Sequence, residues 1–431
     1  MKKVRIGVLG GYRGTGMINY CKIASNAEVV AICDKNEEIL QRQKAMPHTE
    51  NITFYNCFDE FINHDMDAVV LANYAHEHAP FAIKCLKKGL HVYSEVLPVQ
   101  TMQEAVQLVE AVEESGLVYA YGENYCYMPA TREMTRLYRE GKIGEFEYGE
   151  GEYIHNCETI WPSITYGEKD HWRNNMYATF YCTHSLGPII HMTGLRPVKV
   201  TGFEGSKIEL NLRIGSKAGS FGMEMVELEN GGIIKSIHGH LYTNSIWYTA
   251  YGSKGRMESA REDAGEGDVG KIYINADEYP GLYTSTPKSY HPEAMNKDVE
   301  SFGHGGSDYY VMYHFVQKIL GDEKADIIDV YEALDMFLPG MFAYRSVLNG
   351  GIPMEIPDLR DKSIREAYRN DTMCTDPKVA GDMLIPCFSK GNPDIPDAIY
   401  DLMREKFEKE LESDSGYVHA ALTQSQIGNN D

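Results

Sequence analysis

From residue 4 to residue 121 the chain alternates short apolar runs with segments of helical spacing. Val4–Leu9 (VRIGVL), Glu28–Cys33 (EVVAIC), Asp67–Ala72 (DAVVLA), Leu90–Ser94 (LHVYS) and Leu117–Tyr121 (LVYAY) read as strands. In Glu104–Glu114 the apolar Ala105, Leu108, Val109 and Val112 recur on one face with glutamates opposite, the mark of an amphipathic helix. Gly89 and Gly116 stand where such helices stop. Runs that are apolar throughout and alternate with helices predict a doubly wound parallel sheet covered on both sides, an α/β Rossmann domain over residues 1–122.

Past residue 122 the period changes. A helical stretch, Thr131–Glu140, stops at Gly141. Extended segments follow at Glu145–Tyr153, Val198–Phe203, Phe221–Leu228, Ile233–His240, Ile246–Tyr251 and Lys271–Ile274, and Asn230-Gly231-Gly232 reads as a hairpin turn. The pattern predicts an α+β domain over 123–360 built on a large, mostly antiparallel sheet with one open face, with helices returning at 308–320 and 328–348. His238 and His240 alternate on one strand and read as sheet-surface residues. Residues 361–431 form a C-terminal extension with one amphipathic helix near 396–412 and a polar end expected to fray.

Composition narrows the function. The 431 residues hold 41 Lys and Arg against 63 Asp and Glu, a formal net charge of −22. So acidic a surface repels phosphate backbones and anionic membranes, so no nucleic acid and no membrane is expected as a partner. No apolar run approaches the ~20 residues of a bilayer span. The nine cysteines form neither a CxxC pair nor a zinc-finger spacing, and Met1-Lys2-Lys3 leads straight into a strand. Reduced thiols and a cytoplasmic location are the expectation.

The first strand runs into Gly10-Gly11-Tyr12-Arg13-Gly14-Thr15-Gly16 and then a helix. A strand, a glycine-rich turn and a helix N-terminus make a pyrophosphate cradle: N–H groups point outward, the helix dipole favours an anion, and glycine lets the ligand approach. Asp34 ends the second strand 20 residues after Gly14. A carboxylate there accepts hydrogen bonds from ribose hydroxyls and repels a 2′-phosphate, so the expected cofactor is NAD. A literal GxGxxG would begin at Leu9; Gly10 is offset by one, while Gly11 and Gly14 keep the second and third places.

On these residues the chain resembles the Gfo/Idh/MocA oxidoreductase superfamily over residues 1–350. The resemblance extends to NYAHEHAPFAIKCLKKGLHV, which carries Asn73 and the helix-opening His78, to Glu95 before Pro98, and to Asn124 before Pro129. It implies cofactor contacts from Asn73, His78, Glu95 and Asn124. Two family positions differ: the lysine after the glutamate is Val96, and the aspartate four residues before His184 is Phe180. The details are similar to the NAD-dependent glycosidases of glycoside hydrolase family 109: Glu123-Asn124, Tyr153-Ile154-His155, Trp172-Arg173, Tyr181–Pro188 and Gly303–Asp308.

What this branch implies is hydrolysis by transient oxidation. A base takes the carbon-3 hydroxyl proton as hydride leaves, the ketone acidifies carbon 2, the aglycone is eliminated, water adds and the hydride returns. NAD is regenerated and can stay tightly bound. Tyrosines and histidines serve such a route in place of paired carboxylates. His184 is the expected carbon-3 base, since imidazole titrates near neutral pH. Tyr181, Tyr153 and Tyr290 are candidates for the carbon-2 base, the leaving-group acid or sugar binding. Glu123 is expected to orient the sugar or the nicotinamide ribose, and His304 to enter the pocket on a glycine-rich loop. Trp172 and Arg173 are expected on the cofactor side. His155, Cys157 and Glu158 could supply metal ligands with His184, but their spacing matches no standard set, so no metal is expected. Two alternatives stay open: a glycoside 3-dehydrogenase with net oxidation, and a non-catalytic NAD or sugar sensor. The open sheet face predicts a homodimer or homotetramer.

Overall fold

The computed structural model describes residues 3–47, 49–261, 270–276, 288–293, 299 and 302–412. The chain divides into two units that are discontinuous in sequence. The first comprises Met1–Asn124, Asp308–Leu334 and Leu359–Thr372; the second comprises Tyr125–Ser307, Asp335–Asp358 and Met373–Asp431.

The first unit is the Rossmann domain. Its strands are β1 (Val4–Leu9), β2 (Ala27–Cys33), β3 (Thr53–Tyr55), β4 (Ala68–Leu71), β5 (His91–Ser94) and β6 (Tyr119–Tyr121), in the order β3-β2-β1-β4-β5-β6. Every pairing is parallel, from β2 with β3 to β5 with β6. Ile6, Val8, Val69, Val70 and Val92 are wholly buried, as expected of strands covered on both faces. The strand order reverses between β1 and β4, the switch point at which such sheets bind ligands beyond their carboxyl ends. The helix Met102–Ser115 opens on a side-chain cap: Thr101 accepts from the Glu104 N–H at 3.1 Å, and the Glu104 carboxylate reaches back to accept from the Gln100 N–H at 2.6 Å. It closes at Gly116, whose φ is 63°. The returning segment Leu359–Thr372 is fastened to this helix by charge. Arg365 grips Glu113 through two bonds, of 2.8 and 2.5 Å, and Arg369 grips Glu110 through two, of 3.0 and 2.7 Å.

The second unit carries β7 (Phe146–Ile154), β8 (Pro197–Glu204), β9 (Phe221–Leu228), β10 (Ile233–Gly239), β11 (Ser245–Gly252), β12 (Gly255–Ser259), β13 (Ile272–Asn275), β14 (Lys288–Tyr290) and β15 (Met354–Glu355). Among the described residues they form one nine-stranded sheet, β14-β13-β12-β11-β7-β10-β9-β8-β15. All its pairings are antiparallel except β7 with β10, so the expectation of a mostly antiparallel sheet holds. The β9–β10 hairpin turns where expected, with the Asn230 side chain accepting from the Gly232 N–H at 2.9 Å. The helix Thr183–Thr193 packs across β7, β10 and β11. His238 and His240 are corrected by this packing: both are buried rather than at the sheet surface. His240 ties Asn211 to Asn156 through its two ring nitrogens, at 2.9 and 3.1 Å.

The other face of the sheet carries the register row Trp247, Glu152, Ile237, Met223 and Phe203, and beyond it the row Tyr251, Tyr148, Ile233, Glu227 and Lys199. Phe203, Ile233 and Tyr251 are exposed. Ion pairs Lys235–Glu150, Arg261–Glu152 and Lys199–Glu227 lie among them.

Candidate active site

The first unit presents the cradle. Gly10 takes φ 96°, and a Cβ there would lie 2.4 Å from the Ala72 carbonyl oxygen; one on Gly14 would lie 2.5 Å from the Gly10 carbonyl oxygen. The helix Thr15–Ile23 begins at Gly14 with no side-chain cap, and its positive dipole end favours an anion. Asp34 shapes the loop as well as ending its strand. Its carboxylate accepts from the Gly11 N–H at 2.8 Å and the Asn36 N–H at 2.9 Å. Burial raises its pKa, and those two bonds oppose the rise. A carboxylate has lone pairs beyond these two bonds for ribose hydroxyls. Cradle, uncapped helix and acid together fit NAD.

Arg13 leaves the same loop. Its guanidinium binds both oxygens of Asp308, at 3.2 and 3.1 Å, and pairs with Glu95 at 3.0 Å. Asn124 donates to the same Asp308 at 2.9 Å. The first unit thus brings together Arg13, Glu95 and Asn124, from the ends of β1, β5 and β6. Burial pushes His78 down to about 4, against its bonds to backbone carbonyls. Its ring nitrogens lie 2.8 Å from the Leu97 carbonyl oxygen and 3.2 Å from that of Asn73, and the single N–H of the neutral ring donates to one of the two. Tyr12 is half-buried on the glycine loop, and Glu123 is wholly buried after β6.

The second unit gathers rings around His184. Their centroids lie 4.4 Å away for Tyr125, 4.7 Å for Tyr153 and 5.1 Å for Tyr181. His304 joins through Tyr125 at 5.9 Å, and His155 stacks on Tyr153 at 5.9 Å. Trp172 stacks on Tyr181 at 6.2 Å, with the Arg173 guanidinium 4.4 Å over the indole. The Tyr248 hydroxyl donates to the His184 carbonyl at 2.5 Å, fixing the start of its helix. Burial holds the Tyr153 phenol well above its usual pKa, helped by Tyr125 and Cys157, so it keeps its proton at neutral pH. Burial pushes His155 down to about 4 and Cys157 up to about 12, and the His155 Nδ1 lies 2.8 Å from the Cys157 Sγ. Glu158 pairs with Arg213 at 3.3 Å. Among the described residues no group of three or more His, Cys, Asp or Glu side chains is disposed to hold a metal ion.

Tyr290 lies on β14, its hydroxyl donating to Glu133 at 2.5 Å, and among the described residues it makes no ring contact with the His184 cluster. Tyr125 is the residue sequence reasoning missed. Its one signal was its place directly after Glu123-Asn124, and nothing else singles it out among 30 tyrosines.

Behind His184 lies a second polar group. The Ser185 hydroxyl is 2.8 Å from that of Ser236 and 3.4 Å from the His238 Nδ1, and the wholly buried Glu224 lies 3.6 Å from the same Nδ1. Serine and acid approach one nitrogen, so this is not a nucleophile–base–acid relay, which uses both. Burial pushes Glu224 up to about 8, with the Ser236 hydroxyl opposing, and pushes His238 down to about 3.

These two sites define the class: the chain is an enzyme with an NAD-binding Rossmann domain, similar to the Gfo/Idh/MocA oxidoreductases. Residues 4–123 match the family described as an oxidoreductase family with NAD-binding Rossmann fold. Within that class, residues 273–365 match the C-terminal domain of glycosyl hydrolase 109. The chain is 26% identical to a glycosyl hydrolase family 109 protein of Solibacter usitatus, over 82% of this chain and 88% of that one. It is 23% identical to an alpha-N-acetylgalactosaminidase of Shewanella oneidensis, over 83% and 85%. Its fold matches aldose-aldose oxidoreductase from Caulobacter crescentus with a TM-score of 0.64, at 17% identity, over 82% of this chain and all of that one. No helix among the described residues is long and apolar enough to cross a membrane.

Proposed function

We propose that the protein is a redox-neutral glycosidase that holds NAD tightly and acts on a glycoside through transient oxidation at carbon 3. The observation that carries this reading is the set of rings around His184, which are three tyrosines. An ordinary glycosidase places paired carboxylates at the scissile bond.

Bound NAD supplies the hydride acceptor and later the hydride donor; Gly10, Gly11, Tyr12, Gly14 and Asp34 would hold its adenosine and pyrophosphate. Asn73, His78, Glu95 and Asn124 would frame the other half, with Arg13 keeping Glu95 and Asp308 in place and Trp172 and Arg173 alongside. His184 takes the proton of the carbon-3 hydroxyl and gives it back when that carbon is reduced. Tyr153, a phenol that keeps its proton, donates to the departing oxygen. Tyr181 and His304 are the candidates for removing the carbon-2 hydrogen, and Glu123 and Tyr290 would act on the sugar from outside the cluster. Two copies would pair through the open sheet face, burying Trp247, Ile237, Met223 and Phe203.

The test is a panel of aryl α- and β-glycosides given to purified protein without added cofactor. Phenol release with no lasting absorbance of reduced cofactor is expected. Stoichiometric accumulation of reduced cofactor and keto-sugar would replace it with the net 3-dehydrogenase, and inertness with and without NAD would favour the sensor.

A further inference from the structure

The C-terminal extension ends, among the described residues, in the helix Asp397–Glu412. Its seat lies within the second unit, against the helices Trp161–Thr165 and Glu209–Ile214. Two glycines make room for it. A Cβ on Gly167 would meet the Arg404 backbone nitrogen at 2.4 Å, and one on Gly215 would meet the Tyr400 ring at 2.6 Å. The Tyr400 hydroxyl donates to the Gly215 carbonyl at 3.1 Å, Ser163 donates to Glu410 at 2.6 Å, and Met403 packs with Trp161 and Ile214. Earlier in the extension, Thr375 and Cys387 both donate to the Asn175 carbonyl, at 2.5 and 3.2 Å. The segment 161–175 is therefore gripped at both ends.

Phe407 of that helix lies 5.0 Å from the ring of Tyr166. Tyr166 has φ 56°, a left-handed conformation that a bulky side chain adopts only when its surroundings impose it. From Tyr166 the rings continue to His171 at 6.2 Å, Trp172 at 5.9 Å, Tyr181 at 6.2 Å and His184 at 5.1 Å. We propose that the helix Asp397–Glu412 positions Tyr181 and His184 through this unbroken line of rings, with Phe407 and Tyr166 as its positioning residues. The role assigned to Tyr181 and His184 rests on the proposed function; the mechanical coupling does not.

The test uses the full chain and needs no substrate. Hydrogen exchange is followed by mass spectrometry in wild type, Phe407→Ala, Phe407→Tyr and Tyr166→Gly. One lost ring contact of ~0.5–1.5 kcal/mol corresponds to roughly two- to tenfold faster exchange. That increase is expected in 165–175 for Phe407→Ala and Tyr166→Gly, with β7 unchanged and Phe407→Tyr like wild type. In parallel, the Cε1 resonance of His184 in histidine-labelled protein, assigned with His184→Ala, should move in Phe407→Ala and return in Phe407→Tyr. Unchanged exchange in both ring-deleting variants, or a His184 resonance indifferent to Phe407, would overturn the proposal. Equal acceleration throughout the second unit would also overturn it, by reducing Phe407 to a general packing residue.

Discussion

Glu224 offers a test of the electrostatics under the helix that carries His184. Its carboxyl is wholly buried, and among the described residues neither oxygen finds a hydrogen bond of good geometry. Burial raises its folded pKa to about 8, against 4.5 for an exposed glutamate. A raised acid favours the folded state fully below its unfolded pKa and loses that contribution as pH climbs toward the folded one. His238, held at about 3 against 6.5, works in the other sense: its contribution is present above 6.5 and is lost as pH falls. Between 4.5 and 6.5 the two slopes cancel, so the pair yields a plateau there. From pH 6.5 to 8 only Glu224 acts. At about 1.36 kcal/mol per pH unit, roughly 1.5 units cost about 2 kcal/mol. Glu224→Gln keeps the shape and removes the titration. The stability difference, variant minus wild type, should therefore grow by about 2 kcal/mol over that window. Any constant offset from the amide leaves the slope untouched, and other titrating groups cancel in the difference. Urea unfolding at half-unit pH steps measures it. Parallel curves, or a difference that shrinks with pH, would show instead that Glu224 is ionised beside a charged His238, and the reasoning would fail.

Other outcomes follow from the same geometry. Asp34→Ala removes a charge-assisted bond to the glycine loop, another to the Asn36 N–H and the acceptor for ribose, so NAD affinity by calorimetry should fall by roughly ten- to a hundredfold, with the preference over NADP reduced. His184→Ala should lower glycoside turnover by ~2 to 4 orders of magnitude while the circular dichroism spectrum stays unchanged. Tyr125→Ala removes a ring packed on His184, Tyr153 and His304 and should cost about 3 kcal/mol by denaturant unfolding, whereas Tyr125→Phe should cost well under half of that. Light scattering should find a dimer or tetramer in wild type, and Ile237→Lys with Met223→Lys should shift it toward monomer.

The Rossmann half was legible because its signals are local. Apolar runs, stopping glycines and the Gly10–Gly16 turn are each set by neighbours in sequence, and β1, β2, β4, β5 and β6 form close to where periodicity placed them. The three-residue β3 is too short to show a period and escaped notice. Asp34 reads from the sequence as a ribose acceptor, but its grip on the Gly11 N–H spans 23 residues and belongs to the folded chain. The same holds for Asp308, which reaches Arg13 across 295 residues. His238 alternates with His240 as a surface pair would, because alternation reports which face a residue takes and not what covers it. Tyr125 has no pattern of its own; its meaning comes from the three rings that meet it. The line from Phe407 to His184 was invisible for the same reason, since it links a helix that reads as a polar appendage to residues more than two hundred positions earlier.

Oxidation followed by elimination and return of the hydride leaves a mark that deuterium reports directly. Purified protein is incubated in D₂O with α- and β-glycosides, without added cofactor, and the released sugar is examined by proton NMR. Free sugar carrying deuterium at carbon 2 is expected, since the hydrogen removed there exchanges with solvent before water adds. Free sugar that keeps its carbon-2 proton would mean direct displacement at carbon 1, with no oxidation at carbon 3.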